Sequence, residues 1–298
     1  MANESEPLLP KHVGPITSVI QLESELFAVS QAGIQHGHSN RFLIPSFIES
    51  DERLQAIDGD KHTLFAVGGS PGVSGFIGTF NRHSQSWERM TLSSDLLYRV
   101  ILIPDRKRLV TAGADGKVYQ TSHPAESRPT FEILYTHTQP VRALAVSPNQ
   151  QFLASGSLDG LVKVYRLGNG NEPVSIQDHT DKVECVLFSP DSRFIVSGAR
   201  DGKVRIHTLQ GRLLKTYQLR PIRTKSWNYQ EQILSLAADD SFSRIIAGSI
   251  SGQLYKLDPQ DSDWIHLQTM DGPIYSLLST EEKHWIAGTA RVHRFKAD

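Results

Sequence analysis

This 298-residue chain has one cysteine, three methionines and no apolar run approaching the roughly 18 residues of a membrane helix. The lone Cys185 excludes an intramolecular disulfide and suits a reducing compartment. A charge excess is also missing, since 31 Lys and Arg meet 32 Asp and Glu for a formal net charge of -1. No global field therefore steers the chain toward polyanions or membranes, and a charged partner has to be met by a local patch. The first ten residues, M-A-N-E-S-E-P-L-L-P, carry acids where a secretory leader needs bases. The expectation is a soluble protein, cytoplasmic or, in a nucleated cell, nuclear, and not secreted. The 12 histidines form no H-E-x-x-H pair and no Cys/His cluster, and His36-Gly37-His38 is too thin for a metal. No metal or cofactor is expected.

What the chain does contain is repetition. His137 to Leu167 reads H-T-Q-P-V-R-A-L-A-V-S-P-N-Q-Q-F-L-A-S-G-S-L-D-G-L-V-K-V-Y-R-L, and His179 to Leu209 aligns with it without a gap at an offset of 42. A fixed period of about 40 to 45 residues is the signature of a propeller array. Five further units of the same plan start at Ile16, Leu54, Leu97, Ile233 and Ile274, which with Val141 and Val183 makes seven. Each carries short β-branched and aromatic runs separated by turn residues, which favours strands over helices. S-P-N, S-P-D and I-P-D mark tight turns before the second strand, and A-A-D-G, S-L-D-G and A-R-D-G put glycine where φ can be positive before the third. A fourth run follows in most units, as in Arg212 to Leu219 and Trp264 to Met270. Four strands in each of seven units describe an all-β, seven-bladed propeller occupying residues 1–298 as one domain.

The ends bear on ring closure. The seventh unit stops after its third strand, Arg291 to Lys296, and a spare segment, Pro7 to His12, precedes the first unit. The N-terminal segment (residues 1–12) is expected to complete the seventh blade as its outermost strand, removing an open seam.

The order His, V-x-x-L/V, S-P, S-G, D-G and V-K-V or V-R-I resembles the WD40-repeat family, strongly in blades 4 and 5 and progressively less elsewhere. The Trp-Asp pair that names the family is replaced by Tyr165-Arg166 and His207-Thr208. The resemblance implies a buried polar network of His137, Ser155, Asp159 and Tyr165 in blade 4 and of His179, Ser197, Asp201 and His207 in blade 5, with only Thr111 and Asp115 kept in blade 3. Buried polar groups must be paired, so such networks rigidify a blade.

Ser155, His137 and Asp159 also have the chemistry of a hydrolytic triad. The set recurs in blade 5 and no G-x-S-x-G nucleophile elbow accompanies it, so the scaffold reading is preferred and no catalytic residue is assigned. Gly69 to Gly75, G-S-P-G-V-S-G, lacks the lysine and hydroxyl residue of a phosphate loop and is expected to be a long hairpin turn. Cys185 occupies the place of Ala143 and Ser235 in neighbouring units, which makes it a buried small residue.

In propellers of this family, the residue before the first strand, the second residue of that strand and the residue before the turn aspartate converge at one rim of the channel. The resemblance places Arg53, Leu96, Tyr98 and Pro140 there, followed by Arg142, Leu158, Lys182 and Glu184. Arg200, Leu234, Ile250, Pro273 and Tyr275 complete the set. Arginine and tyrosine are enriched in interface hot spots. The 50-residue spacing between units 5 and 6 adds a loop, Arg220 to Gln230, whose Arg220, Arg223 and Lys225 with Trp227 and Tyr229 suit an acidic or aromatic-containing peptide. The expected function is a non-catalytic scaffold that docks a protein or peptide on this rim as a subunit of a larger complex. The alternatives are a small-ligand-binding or hydrolytic propeller using the channel, and nucleic-acid binding through the 220–230 loop.

Overall fold

The computed structural model describes residues 6–7, 15–30, 33–38, 53–104, 107–122, 124, 129–168, 170–219, 222–223, 228–261, 264–280, 285–289 and 292–297. These residues form strands and turns, with no α-helix among them. Seven antiparallel sheets, the blades, follow one another along the chain, each running outward from its innermost strand in sequence order. Blade 1 is described as three strands, Ile16–Leu22, Glu25–Ser30 and Gly33–His38. Blade 2 has four, Arg53–Gly59, Thr63–Ser70, Ser74–Asn81 and Ser86–Ser93. Blade 3 comprises Leu97–Ile103, Arg108–Gly113, Lys117–Thr121 and Glu132–Thr136, and blade 4 comprises Val141–Val146, Phe152–Ser157, Val162–Arg166 and Val174–Ile176. Blade 5 is built from Val183–Phe188, Phe194–Ala199, Lys203–Thr208 and Leu213–Gln218, and blade 6 from Ile233–Ala238, Ile245–Ser249, Gln253–Leu257 and Trp264–Thr269. Blade 7 has Ser276–Ser279, Trp285–Gly288 and Val292–Phe295.

Innermost strands of consecutive blades lie side by side, and that of blade 7 lies beside that of blade 1. At this last junction the Ile16 amide donates to the Thr289 carbonyl at 2.7 Å and the Val19 amide to Ser276 Oγ at 3.1 Å. The hydrophobic cores sit between blades: Val196, Val204 and Tyr217 of blade 5 pack on Ile233, Ile245 and Leu257 of blade 6. Because neighbours cover both faces of each blade, second strands such as Phe194–Ala199 are buried at every position after the first. They therefore read as runs of apolar and small residues rather than as alternation. The outermost strand Leu213–Gln218 covers one face only and buries Tyr217 among exposed and half-buried neighbours.

The turn glycines Gly116, Gly160, Gly202 and Gly252 have φ of +76°, +83°, +70° and +83°. At Gly202 a Cβ would also come within 2.6 Å of the Glu231 carbonyl, so both conformation and space require glycine. The 69–75 stretch departs from expectation. Strands run to Ser70 and resume at Ser74, which pair with each other, leaving a turn of only Pro71 to Val73. Close approach explains the short turn, since a Cβ on Gly69 would lie 2.0 Å from the Ser74 carbonyl. Two inner strands are also shifted from expectation, starting at Arg53 in blade 2 and Ser276 in blade 7. Glu6–Pro7 pairs antiparallel with the last strand, Glu6 opposite Arg294 and Pro7 opposite His293. Leu8 to His12, the rest of the segment expected there, lie outside the described residues.

Candidate partner-binding rim and its supporting network

In blade 4, His137 bridges two elements: Nδ1 lies 3.0 Å from Asp159 Oδ2 and Nε2 lies 2.8 Å from Ser155 Oγ. Burial keeps the imidazole neutral by lowering its pKa against the pull of Asp159. Burial also opposes ionisation of Asp159, but the Leu161 amide, His137 and the Thr138 amide outweigh it and hold the carboxyl below its ordinary range. A neutral imidazole facing a carboxylate carries its proton on Nδ1, so Nε2 accepts from the Ser155 hydroxyl. The hydroxyl that in turn reaches Ser155 belongs to Tyr135, at 3.1 Å, from the outermost strand of blade 3. The sequence expectation gave a place in this network to Tyr165. Tyr165 instead packs its ring on that of Tyr135, with centroids 5.4 Å apart. The network thus fastens blade 3 to blade 4.

Blade 5 repeats the residues with different protons. His179 Nε2 lies 2.8 Å from Ser197 Oγ, and Nδ1 lies 3.2 Å from Asp201 Oδ2. Arg205 enters between them, its Nη1 at 2.6 Å from His179 Nδ1 and 2.9 Å from Asp201 Oδ2. A guanidinium can only donate, so Nδ1 accepts here and Nε2 donates to Ser197. Burial works against the Asp201 carboxylate, but Arg205 and the Thr180 amide, which donate to it, hold it well below the usual range. His207, at the position of the family tryptophan, reaches not Ser197 but Asp178, at 2.7 Å. Blade 3 substitutes Ser93, whose hydroxyl donates to Asp115 at 3.0 Å, while Thr111 donates to the Arg99 carbonyl at 2.7 Å. Tyr135, Arg205 and Asp178 were not anticipated. Their only sequence signals are proximity to His137, Asp201 and His179.

The blade 4 trio has the connectivity of a hydrolytic triad, yet Ser155 and the His137 side chain are fully buried. A nucleophile needs an open approach and this hydroxyl has none. In blade 5 the histidine donates to the serine, the reverse of what a general base requires. Cys185 is buried against the Gly198 carbonyl, and burial pushes its thiol pKa up, away from thiolate chemistry. Among the described residues no group of three His, Cys, Asp or Glu could hold a metal ion.

The rim candidates meet through the backbone. The Leu158 amide donates to the Pro140 carbonyl, that of Arg200 to Lys182 and that of Ala114 to Leu96, at 2.9, 2.9 and 2.8 Å. The Ile250 amide bonds the Gln232 carbonyl at 3.0 Å in the same way. The residue before the inner strand and the residue at the turn before the third strand therefore share one end of blades 3, 4, 5 and 6. There the side chains of blades 3, 4 and 5 join. Arg142 lies over the Tyr98 ring at 4.3 Å and its Nε bonds Glu184 Oε2 at 3.2 Å, while Arg200 Nε bonds Glu184 Oε1 at 2.6 Å. The carboxylate is 4% exposed, against 27% and 34% for the two arginine side chains, so the cations face solvent. Arg53 and Lys182 are exposed, Pro273 is half-buried, and Leu96 and Leu234 are buried. Tyr275, half-buried, stands just before its strand rather than second in it.

Below this cluster, inner-strand residues of blades 1, 3, 4, 5, 6 and 7 line a cavity of about 200 Å³, with Arg99, Glu184, Leu234 and Tyr275 in its wall. Burial and the neighbouring Arg142 pull the Arg99 guanidinium down to about 10. The 219–230 loop returns to this end of blade 5, with the Leu219 amide on the Gly202 carbonyl at 3.0 Å and Gln230 Nε2 on the Leu219 carbonyl at 3.4 Å. Ile222–Arg223 and Asn228–Tyr229 pair within it. Arg220, Lys225 and Trp227, and the side chains of Arg223 and Tyr229, lie outside the described residues.

No curated protein matches this chain. The family model for the WD domain, G-beta repeat, matches residues 128–166 and 170–208. Each match opens near the outermost strand of one blade and ends on the third strand of the next, which is the span the His-Ser-Asp networks fasten. The two matched repeats are thus WD40 repeats in blades 3 to 5, set within a propeller whose seven blades are built to one plan.

Proposed function

We propose that the chain acts as one propeller unit and as a non-catalytic scaffold, docking a protein segment on the rim around the channel within a larger complex. The observation that carries this reading is the solvent-facing cluster of Tyr98, Arg142 and Arg200 around Glu184, which spans three blades at one end of the ring. Arginine and tyrosine held by their neighbours lose little conformational freedom on binding, the usual condition of an interface anchor. WD40 propellers generally bind protein partners, and the buried state of both His-Ser-Asp sets argues against their use in hydrolysis. The 220–230 loop, with Arg223 and Trp227, is part of the same proposed face.

The test combines Arg142→Glu with Trp227→Ala and places a photo-crosslinking residue at Lys182 or, as a control on the outer edge, at Leu213. Partners crosslinked from Lys182 in the parent should be lost in the double variant while its circular dichroism and melting stay unchanged. Undiminished capture by the double variant, or crosslinks from Leu213 alone, would move the site elsewhere.

A further inference from the structure

The charges at the channel mouth do not balance. Arg142 and Arg200 both bond Glu184, which among the described residues is the one carboxylate either of them bonds, and Arg99 shares the cavity wall with it. Arg142 and Arg200 each give it only Nε, so among the described residues their Nη groups make no hydrogen bond. Arg99 donates Nη1 to the Tyr98 carbonyl at 3.0 Å and among the described residues hydrogen-bonds no carboxylate. Of the wall hydroxyls, Ser235 and Thr17 spend their protons on backbone carbonyls, whereas Ser18 and Ser276 accept from amides and keep a proton to donate. Ser235 donates to the Ile274 carbonyl at 2.7 Å, Ser276 accepts from the Val19 amide at 3.1 Å, and Ser18 accepts from the Ile57 amide at 3.5 Å. Three guanidiniums therefore stand with one carboxylate at the edge of a cavity of about 200 Å³, and among the described residues the forked ends of Arg142 and Arg200 are unused.

We propose that this mouth receives an acidic side chain, Asp or Glu, of the docked segment, with Arg99 at the base of the site and Arg142 and Arg200 closing on it. Guanidinium forks match a carboxylate bidentately, and a compact acidic side chain fits the cavity where a polymer backbone does not. Glu184 has two roles. It holds Arg142 and Arg200 in place and lowers the positive potential that an incoming acid meets. The site thus selects against basic and neutral segments by charge alone. This inference rests on the rim being the docking face and adds the chemistry of what enters.

The probe is a fluorescein-labelled hexaglutamate peptide, with hexaserine as its neutral control and inorganic phosphate as competitor, followed by anisotropy at physiological salt. The parent should bind hexaglutamate and not hexaserine, with Arg99→Gln and Arg200→Gln each weakening binding about tenfold and Arg99→Lys weakening it less. Glu184→Gln should tighten binding about tenfold, a gain that a misfolded variant cannot produce. Binding indifferent to Arg99 and Glu184 overturns the inference, as does absence of binding to both the parent and Glu184→Gln. Displacement by phosphate as effective as by unlabelled hexaglutamate does so too, because the ligand is then a free anion. If crosslinked partners still map to Lys182 while hexaglutamate fails, only this inference falls. If partners map to the outer edge, the docking face itself is wrong.

Discussion

Removing one hydroxyl distinguishes the network seen here from the one a family pattern implies. In Tyr135→Phe, Ser155 keeps its bond to His137 but loses the donor at 3.1 Å, in a fully buried site where water cannot replace it. A buried hydroxyl left with an unmet acceptor costs about 1–2 kcal/mol, and the bond also joins blade 3 to blade 4. For a chain of this size the unfolding midpoint should fall by about 2–4 °C. Tyr165→Phe is the comparison: the role of reaching Ser155 is filled by Tyr135, so its loss should stay within about 0.5 kcal/mol. Urea titration of both variants, and of Tyr135→Phe in a Ser155→Ala background, measures the coupling directly. The Tyr135 effect should shrink by about 1 kcal/mol once the serine is gone. Equal costs for the two tyrosines, or a Tyr135 effect unchanged without Ser155, would refute the network.

Two further outcomes follow from the inter-blade contacts. Asp58 accepts from the Leu102 amide of the next blade at 2.8 Å, and burial raises its pKa from 3.8 to about 6. A raised carboxyl pKa gives stability that is complete below the unfolded value and lost as pH climbs through about 6. Asp58→Asn should therefore gain on the parent between pH 4 and pH 7.5, by at most about 3 kcal/mol, and a pH-independent difference in denaturation midpoints would sink the assignment. Deleting residues 1–12 should lower the unfolding temperature markedly, since Glu6–Pro7 lies against Val292–Phe295 in the last blade. An unchanged melt would count against closure of the ring by the N-terminus.

Local sequence determined the number of blades and most strand positions, because turn chemistry and β-branched runs act over a few residues. S-P-D, A-R-D-G and V-R-I each specify their own turn or strand, and the D-G glycines have the positive φ that only glycine adopts freely. It also brought His137, Ser155 and Asp159 together as a unit, since one repeat carries all three. Tertiary structure alone decided which hydroxyl completes that unit, because Tyr135 arrives from the preceding blade and its own repeat does not predict where its ring will point. It likewise decided that His137 and His179 hold their protons on opposite nitrogens, the choice being made by Arg205 on a neighbouring strand. The channel mouth belongs wholly to that level. Arg99, Arg142, Glu184 and Arg200 come from three blades over a hundred residues of chain, and their unequal charges become one site only when the ring brings the blade ends together.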